Sequence, residues 1–156
     1  MIDSPTRLQA VSSQCDVLIV EDDEIQCEEM ASFLSRAGLE VVMANNAAQA
    51  LRVCTTVPPR VALLDFNLPD GTGVELAERM RALLPETAIL MMSGRIDGLS
   101  EQLLTRLGIT VFVNKPLPLA PLRQAVLKLV RAVPVDRNRQ RKQAGWLAAG
   151  VGGTRD

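Results

Sequence analysis

Five short apolar runs punctuate the chain, at Val17–Val20, Leu39–Met43, Val61–Leu64, Ala88–Met92 and Val111–Val113. Four are nearly continuous rather than alternating. That pattern suits strands buried on both faces, as in a parallel sheet covered by helices. The second run carries Glu40 and reads as closer to an edge. Segments with helical spacing lie between the runs. Ile25, Met30, Phe33, Leu34 and Ala37 mark the first, stopped by Gly38. Ala47, Ala50, Leu51 and Cys54 mark the second, stopped before Pro58 and Pro59. Val74, Leu76, Ala77, Met80, Leu83 and Leu84 mark the third, stopped by Pro85. Leu99, Leu103, Leu104 and Leu107 mark the fourth, stopped by Gly108, and Leu122, Val126, Leu127, Leu129 and Val130 the fifth, stopped before Pro134. Each interval from one run to the next has room for a strand, a helix and two short loops. The pattern predicts (βα)5, a doubly wound open α/β sheet.

At 156 residues the chain has the length of one domain with a tail. The expected division is a flexible lead over 1–14, a globular domain over 15–133, and a flexible basic tail over 134–156. That tail holds Arg137, Arg139, Arg141, Lys142 and Arg155 against Asp136 and Asp156. The whole chain is nearly balanced, with 17 basic and 18 acidic residues, which gives no support to whole-molecule nucleic-acid binding. Histidine is absent, so imidazole metal sites and Ser–His or Cys–His nucleophile pairs are excluded. Tyrosine is absent too, and three Phe and one Trp make no stacking platform for single strands. The three cysteines, Cys15, Cys27 and Cys54, form no Cys-x-x-Cys and read as reduced thiols of a cytoplasmic protein. No secretory h-region and no membrane-length apolar run is visible.

Composition therefore leaves the polar residues that follow the runs as the informative ones. Glu21-Asp22-Asp23 follows the first, Asp65 the third, Ser93-Gly94 the fourth and Asn114-Lys115-Pro116 the fifth. In a parallel sheet all these positions share the carboxyl edge, where open α/β sheets bind ligands. Each has a plain reading by itself. Acidic residues 21–24 also suit the cap and first turn of a helix, and Asp70-Gly71 is a turn signal in any fold. Together they place three carboxylates, a hydroxyl and an ammonium on one edge. Clustered carboxylates repel unless one is protonated or a cation neutralises them. Oxygen ligands without His or Cys favour a hard cation, and few carboxylates with open positions suit Mg²⁺ better than a Ca²⁺ cage. A metal beside an ammonium and a hydroxyl suits a phosphoryl group. A carboxylate nucleophile there, for which central Asp65 is the best candidate, forms an aspartyl phosphate.

On Leu18–Asp23, Leu63–Gly73, Met92–Gly94 and Phe112–Pro116, taken as an ordered set, the sequence resembles the receiver domains of two-component response regulators. The resemblance spans about 16–132. It implies a flavodoxin-like fold with strand order 2-1-3-4-5. It also implies Asp65 as phospho-acceptor, and Mg²⁺ held by Glu21, Asp22, Asp65 and the backbone carbonyl of Asn67. Ser93 is then the switch hydroxyl, Lys115 the phosphate-pairing lysine and Phe112 the switch aromatic. The acidic pair is Glu-Asp rather than Asp-Asp, the hydroxyl Ser rather than Thr, and the aromatic Phe rather than Tyr. A Phe has no hydroxyl to offer solvent, so an inward Phe112 is expected even without phosphate.

The function so implied is a phosphorelay switch rather than a turnover enzyme. A sensor histidine kinase or histidine phosphotransfer protein donates the phosphoryl group. The surface formed by the fourth helix, fifth strand and fifth helix then changes its contacts with an effector or a second copy. Nucleic acid and membrane are not expected partners. The same chemistry also fits the receiver portion of a hybrid kinase system. A haloacid-dehalogenase-type phosphatase would need Asp-x-Asp-Gly-Thr, and Leu68 stands where its leading Asp would be. A flavodoxin would need a phosphate loop where Glu21–Asp23 stands.

Overall fold

The computed structural model describes residues 14–93, 101–114 and 118–133, with 111–114 described by backbone alone. The elements are β1 (Cys15–Val20), α1 (Glu24–Arg36), β2 (Val41–Ala44), α2 (Ala47–Thr56), β3 (Pro59–Asp65), β4 (Asn67–Leu68), β5 (Gly71–Thr72), α3 (Gly73–Leu83), β6 (Ala88–Ser93), α4 (Glu101–Leu107), β7 (Ile109–Asn114) and α5 (Leu119–Ala132). Five strands form one parallel sheet in the order β2-β1-β3-β6-β7. Counting only these five, the order is the expected 2-1-3-4-5. Strand order reverses between the parallel strands β1 and β3, which leaves a crevice at their carboxyl edge.

Alternation along the central strands sorts their side chains into two core layers. Val17, Ile19, Val61, Leu63, Leu90 and Met92 face α1 and α5, which contribute Met30, Leu34, Leu122 and Val126. Leu18, Val20, Ala62, Leu64, Ile89 and Met91 face α2, α3 and α4, which contribute Ala50, Leu76, Met80 and Leu107. Both faces are covered, which is why these runs are apolar without a break. β2 is the exception expected of an edge, with Met43 44% exposed.

The helices begin and end where local chemistry allows. Asn46 caps α2 by accepting from the Gln49 N–H at 2.7 Å. Thr72 and Glu75 form a reciprocal capping box on α3. Pro121 falls in the first turn of α5, where a missing N–H leaves no helix bond unmade. Gly38 and Gly108 follow α1 and α4 with φ of 88° and 71°, the left-handed turn that stops a helix cheaply only at glycine. Residues Cys15–Val133 form one compact unit. Among the described residues no helix is long and apolar enough to cross a membrane.

Candidate functional site

The carboxyl ends of β1 and β3 are adjacent because Val20 pairs with Leu64. The residues that follow, Glu21 and Asp65, are therefore delivered to the same crevice. The acidic run 21–24 divides its work. Asp23 is the N-cap of α1, accepting from the Gln26 N–H at 3.1 Å, and Glu24 lies in the helix's first turn. Glu21 is turned inward to 1% exposure and accepts from the Asp23 N–H at 3.2 Å. Asp22 stays exposed. The helix start thus orients the two acids before it.

Glu21, Asp22 and Asp65 converge. One carboxylate oxygen from each lies within 4.8 Å of the others, with Glu21 and Asp65 buried and Asp22 exposed. Asp65 is 6% exposed and accepts from the Asn67 N–H at 3.3 Å. Three carboxylates at this separation repel one another, and a divalent cation relieves that repulsion. The donors are oxygens only, reached from the solvent side past Asp22. This set fits a hard cation that keeps water in its shell rather than a closed cage.

Ser93 ends β6 at 3% exposure. Asp65 pairs with Met92, so Ser93 stands one residue beyond it on the neighbouring strand. Its partner on the far side is Asn114, the last residue of β7. Phe112 lies in β7 opposite Met91, and its side chain is outside the described residues. Lys115 is outside the described residues as well.

The segment after Asp65, read from sequence as a loop with a turn signal, folds as a minute hairpin. Asn67 pairs with Thr72 and Leu68 with Gly71. Its base is drawn against the sheet: the Phe66 N–H donates to the Met92 carbonyl at 2.7 Å, and the Gly73 N–H to the Phe66 carbonyl at 2.7 Å. The chain returns so close to Asp65 that a Cβ on Gly73 would overlap the Asp65 carbonyl oxygen and press on Met91 Sδ at 2.8 Å. The Gly73 requirement had no independent signal in spacing, because the clash is with a residue eight positions earlier. Thr72-x-x-Glu75 did carry a signal, that of a capping box.

The three thiols take no part. Cys15, Cys27 and Cys54 are free and buried, and burial pushes them up to about 12, 11 and 11.

The fold and the acidic crevice together define a receiver: residues 17–127 match the response regulator receiver domain model, and the chain belongs to that family. It is 28% identical over 118 residues to the photosynthetic apparatus regulatory protein RegA of Rhodovulum sulfidophilum, covering 76% of this chain and 64% of that protein. It is 33% identical over 115 residues to a cyclic di-GMP phosphodiesterase of Thermotoga maritima, covering 74% of this chain and 31% of that one. The chain thus spans less than two thirds of the length of either relative. Among solved structures, the CheY-like response regulator receiver domain protein of Methanospirillum hungatei JF-1 superposes with a TM-score of 0.71 at 25% identity, over 84% of this chain and 99% of that one. The response regulator receiver is the functional class that the family match defines.

Proposed function

We propose that the chain is a Mg²⁺-dependent phosphoryl acceptor, with Asp65 as the residue modified. The observation that carries this reading is the convergence of Glu21, Asp22 and Asp65 at the carboxyl edge, with Ser93 one strand away. A carboxylate oxygen of Asp65 attacks the phosphorus of a phosphohistidine presented by a sensor kinase or phosphotransfer protein. The P–N bond breaks with its electron pair left on the imidazole, and an acyl phosphate forms. Glu21, Asp22, Asp65 and the Asn67 carbonyl are the residues that would hold Mg²⁺. Bound there, the ion would neutralise charge shared by the carboxylates and the phosphoryl oxygens.

The hydroxyl of Ser93 then donates to a phosphoryl oxygen, and the Lys115 ammonium pairs with another. Both hold the phosphorylated state better than the free one, and that difference in affinity shifts the population. Phe112, expected inward even without phosphate, serves as the switch aromatic whose inward position the phosphorylated state favours further. The altered surface of α4, β7 and α5 selects an effector protein or a second copy. The protein so described works in the cytoplasm as a switch without substrate turnover.

Labelling tests this directly. With a phosphorylated histidine kinase and Mg²⁺, the wild-type chain acquires acid-stable, alkali-labile phosphate, while Asp65→Asn stays at background. Chelation of the metal abolishes the signal in the wild type. Undiminished labelling of Asp65→Asn would overturn the assignment.

A further inference from the structure

The β4–β5 hairpin carries Asn67, yet two residue pairs are too few to hold a ladder in place. Its position comes from anchors outside it. The base is fixed by the Phe66 and Gly73 amides described above. The second strand is fixed by the capping box, in which the Thr72 N–H donates to Glu75 Oε1 at 3.0 Å and the Glu75 N–H to Thr72 Oγ1 at 3.1 Å. Among the described residues, it is Asp70 that fixes the tip. Its Oδ1 accepts from the Ala47 N–H at 2.8 Å and its Oδ2 from the Ala48 N–H at 3.0 Å. These are the first two amides of α2, more than 20 residues away along the chain.

The arrangement has a physical logic. The opening turn of a helix offers amides with no partner of their own. Asn46 takes the Gln49 N–H, and Asp70 takes the two before it. A carboxylate is the strongest acceptor available for them and complements the helix dipole. The two bonds also hold the Asp70 carboxyl below the usual carboxylate range. The element that carries Asn67 is thereby tied to α2, which packs on the same face of the sheet as α3.

We propose that Asp70 is a positioning residue for the cation site, holding the β4–β5 hairpin, and with it the Asn67 carbonyl, against the amino end of α2. This inference rests on the reading of Asn67 as a metal ligand given above. Loss of the tether frees the tip, and the donor carbonyl must be ordered again each time the ion binds.

Calorimetric titration with MgCl₂ tests it on the full chain. Asp70→Ala is expected to weaken Mg²⁺ binding about tenfold, the lower end of the effect of removing groups that orient a metal's ligands. Asp70→Asn, which keeps one acceptor oxygen and the shape, is expected to fall between, and serves if the Ala variant fails to fold. Asn46→Ala removes the other cap of the same helix without touching the hairpin. It is expected to lower the melting temperature while leaving Mg²⁺ affinity within twofold of wild type. Repeating the titrations in about 0.5 M NaCl separates position from charge, because exposed charges are screened within a few ångströms there. A defect that persists supports the tether, and one that vanishes overturns it. If the wild type binds Mg²⁺ and both Asp70 variants bind it equally well, the positioning role fails alone. If the wild type binds none, the phosphoryl-acceptor reading fails and takes this one with it.

Discussion

Gly73 shows how tightly one position can be constrained without any unusual backbone angle. The chain must leave β3, form a hairpin and start α3 within eight residues of Asp65, and it does so by passing directly over the Asp65 carbonyl. A methyl group there has nowhere to go, since the obstacle is backbone rather than a flexible side chain. Gly73→Ala is therefore expected to cost about 2 kcal/mol or more in urea denaturation, the range of overpacked core substitutions. It should also reduce the phosphate accepted at Asp65, whose carbonyl would be the group displaced. A variant with wild-type stability and labelling would show that the contact can relax. Neighbouring Asp22 and Glu21 illustrate the opposite case. Two adjacent acids differ wholly in exposure within the short turn that joins the end of β1 to the start of α1.

At the scale of elements, the opposite edge of the sheet is held by arginines rather than by carboxylate clusters. Arg81, in the last turn of α3, donates to the carbonyls of Pro85 and Thr87 at 2.8 Å each, Leu107 at 2.9 Å and Gly108 at 3.1 Å. It thereby joins the end of α3, the approach to β6 and the end of α4 through their backbone carbonyls. Partial burial lowers its pKa, because desolvation disfavours the charged guanidinium. Arg60 does the same for α5, donating to Val130 and Val133 carbonyls at 2.5 and 2.6 Å while Asp16 lies 3.6 Å from its other amino group. Arg81→Met keeps the aliphatic stem and removes the fork. It should lower unfolding free energy by about 2–3 kcal/mol, the scale of hydrogen bonds to a charged donor. Arg81→Lys should recover only part of this, because an ammonium cannot reach several carbonyls in one plane. A loss under about 0.5 kcal/mol for Arg81→Met, read from the denaturation midpoint, would mean water replaces the fork at little cost.

Across the whole molecule, the cysteines report on both core layers. Cys27 lies with α1 on one side of the sheet and Cys54 with α2 on the other. Their thiols are pushed up to about 11 by burial, and that of Cys15 to about 12. The folded chain keeps these protons where the unfolded chain begins to lose them near pH 9. Stability is therefore complete below that pH and is expected to fall as pH rises from 9 towards 12, with thiol reagents at neutral pH labelling only as fast as the protein opens. A triple variant, Cys15→Ala, Cys27→Ala, Cys54→Ala, with an unchanged alkaline decline would assign that decline to groups other than the thiols. The same division into layers separates what was legible in sequence from what was not. Continuous apolar runs at 17–20, 61–64 and 88–92 marked strands covered on both faces, and helical spacing with Gly and Pro stops marked what covers them, because burial pattern is a local property of the chain. The acids after the first and third runs were visible for the same reason. Strand order came only with the family resemblance, since spacing leaves the order of parallel strands open. The hairpin after Asp65, the Gly73 contact, the reach of Asp70 to α2 and the arginine forks were decided by the tertiary structure. The reach of Asp70 to α2 and of the arginines to α4 and α5 joins groups far apart in the chain, and the hairpin and the Gly73 contact depend on how the chain is drawn back against the sheet, so no periodicity announces any of them.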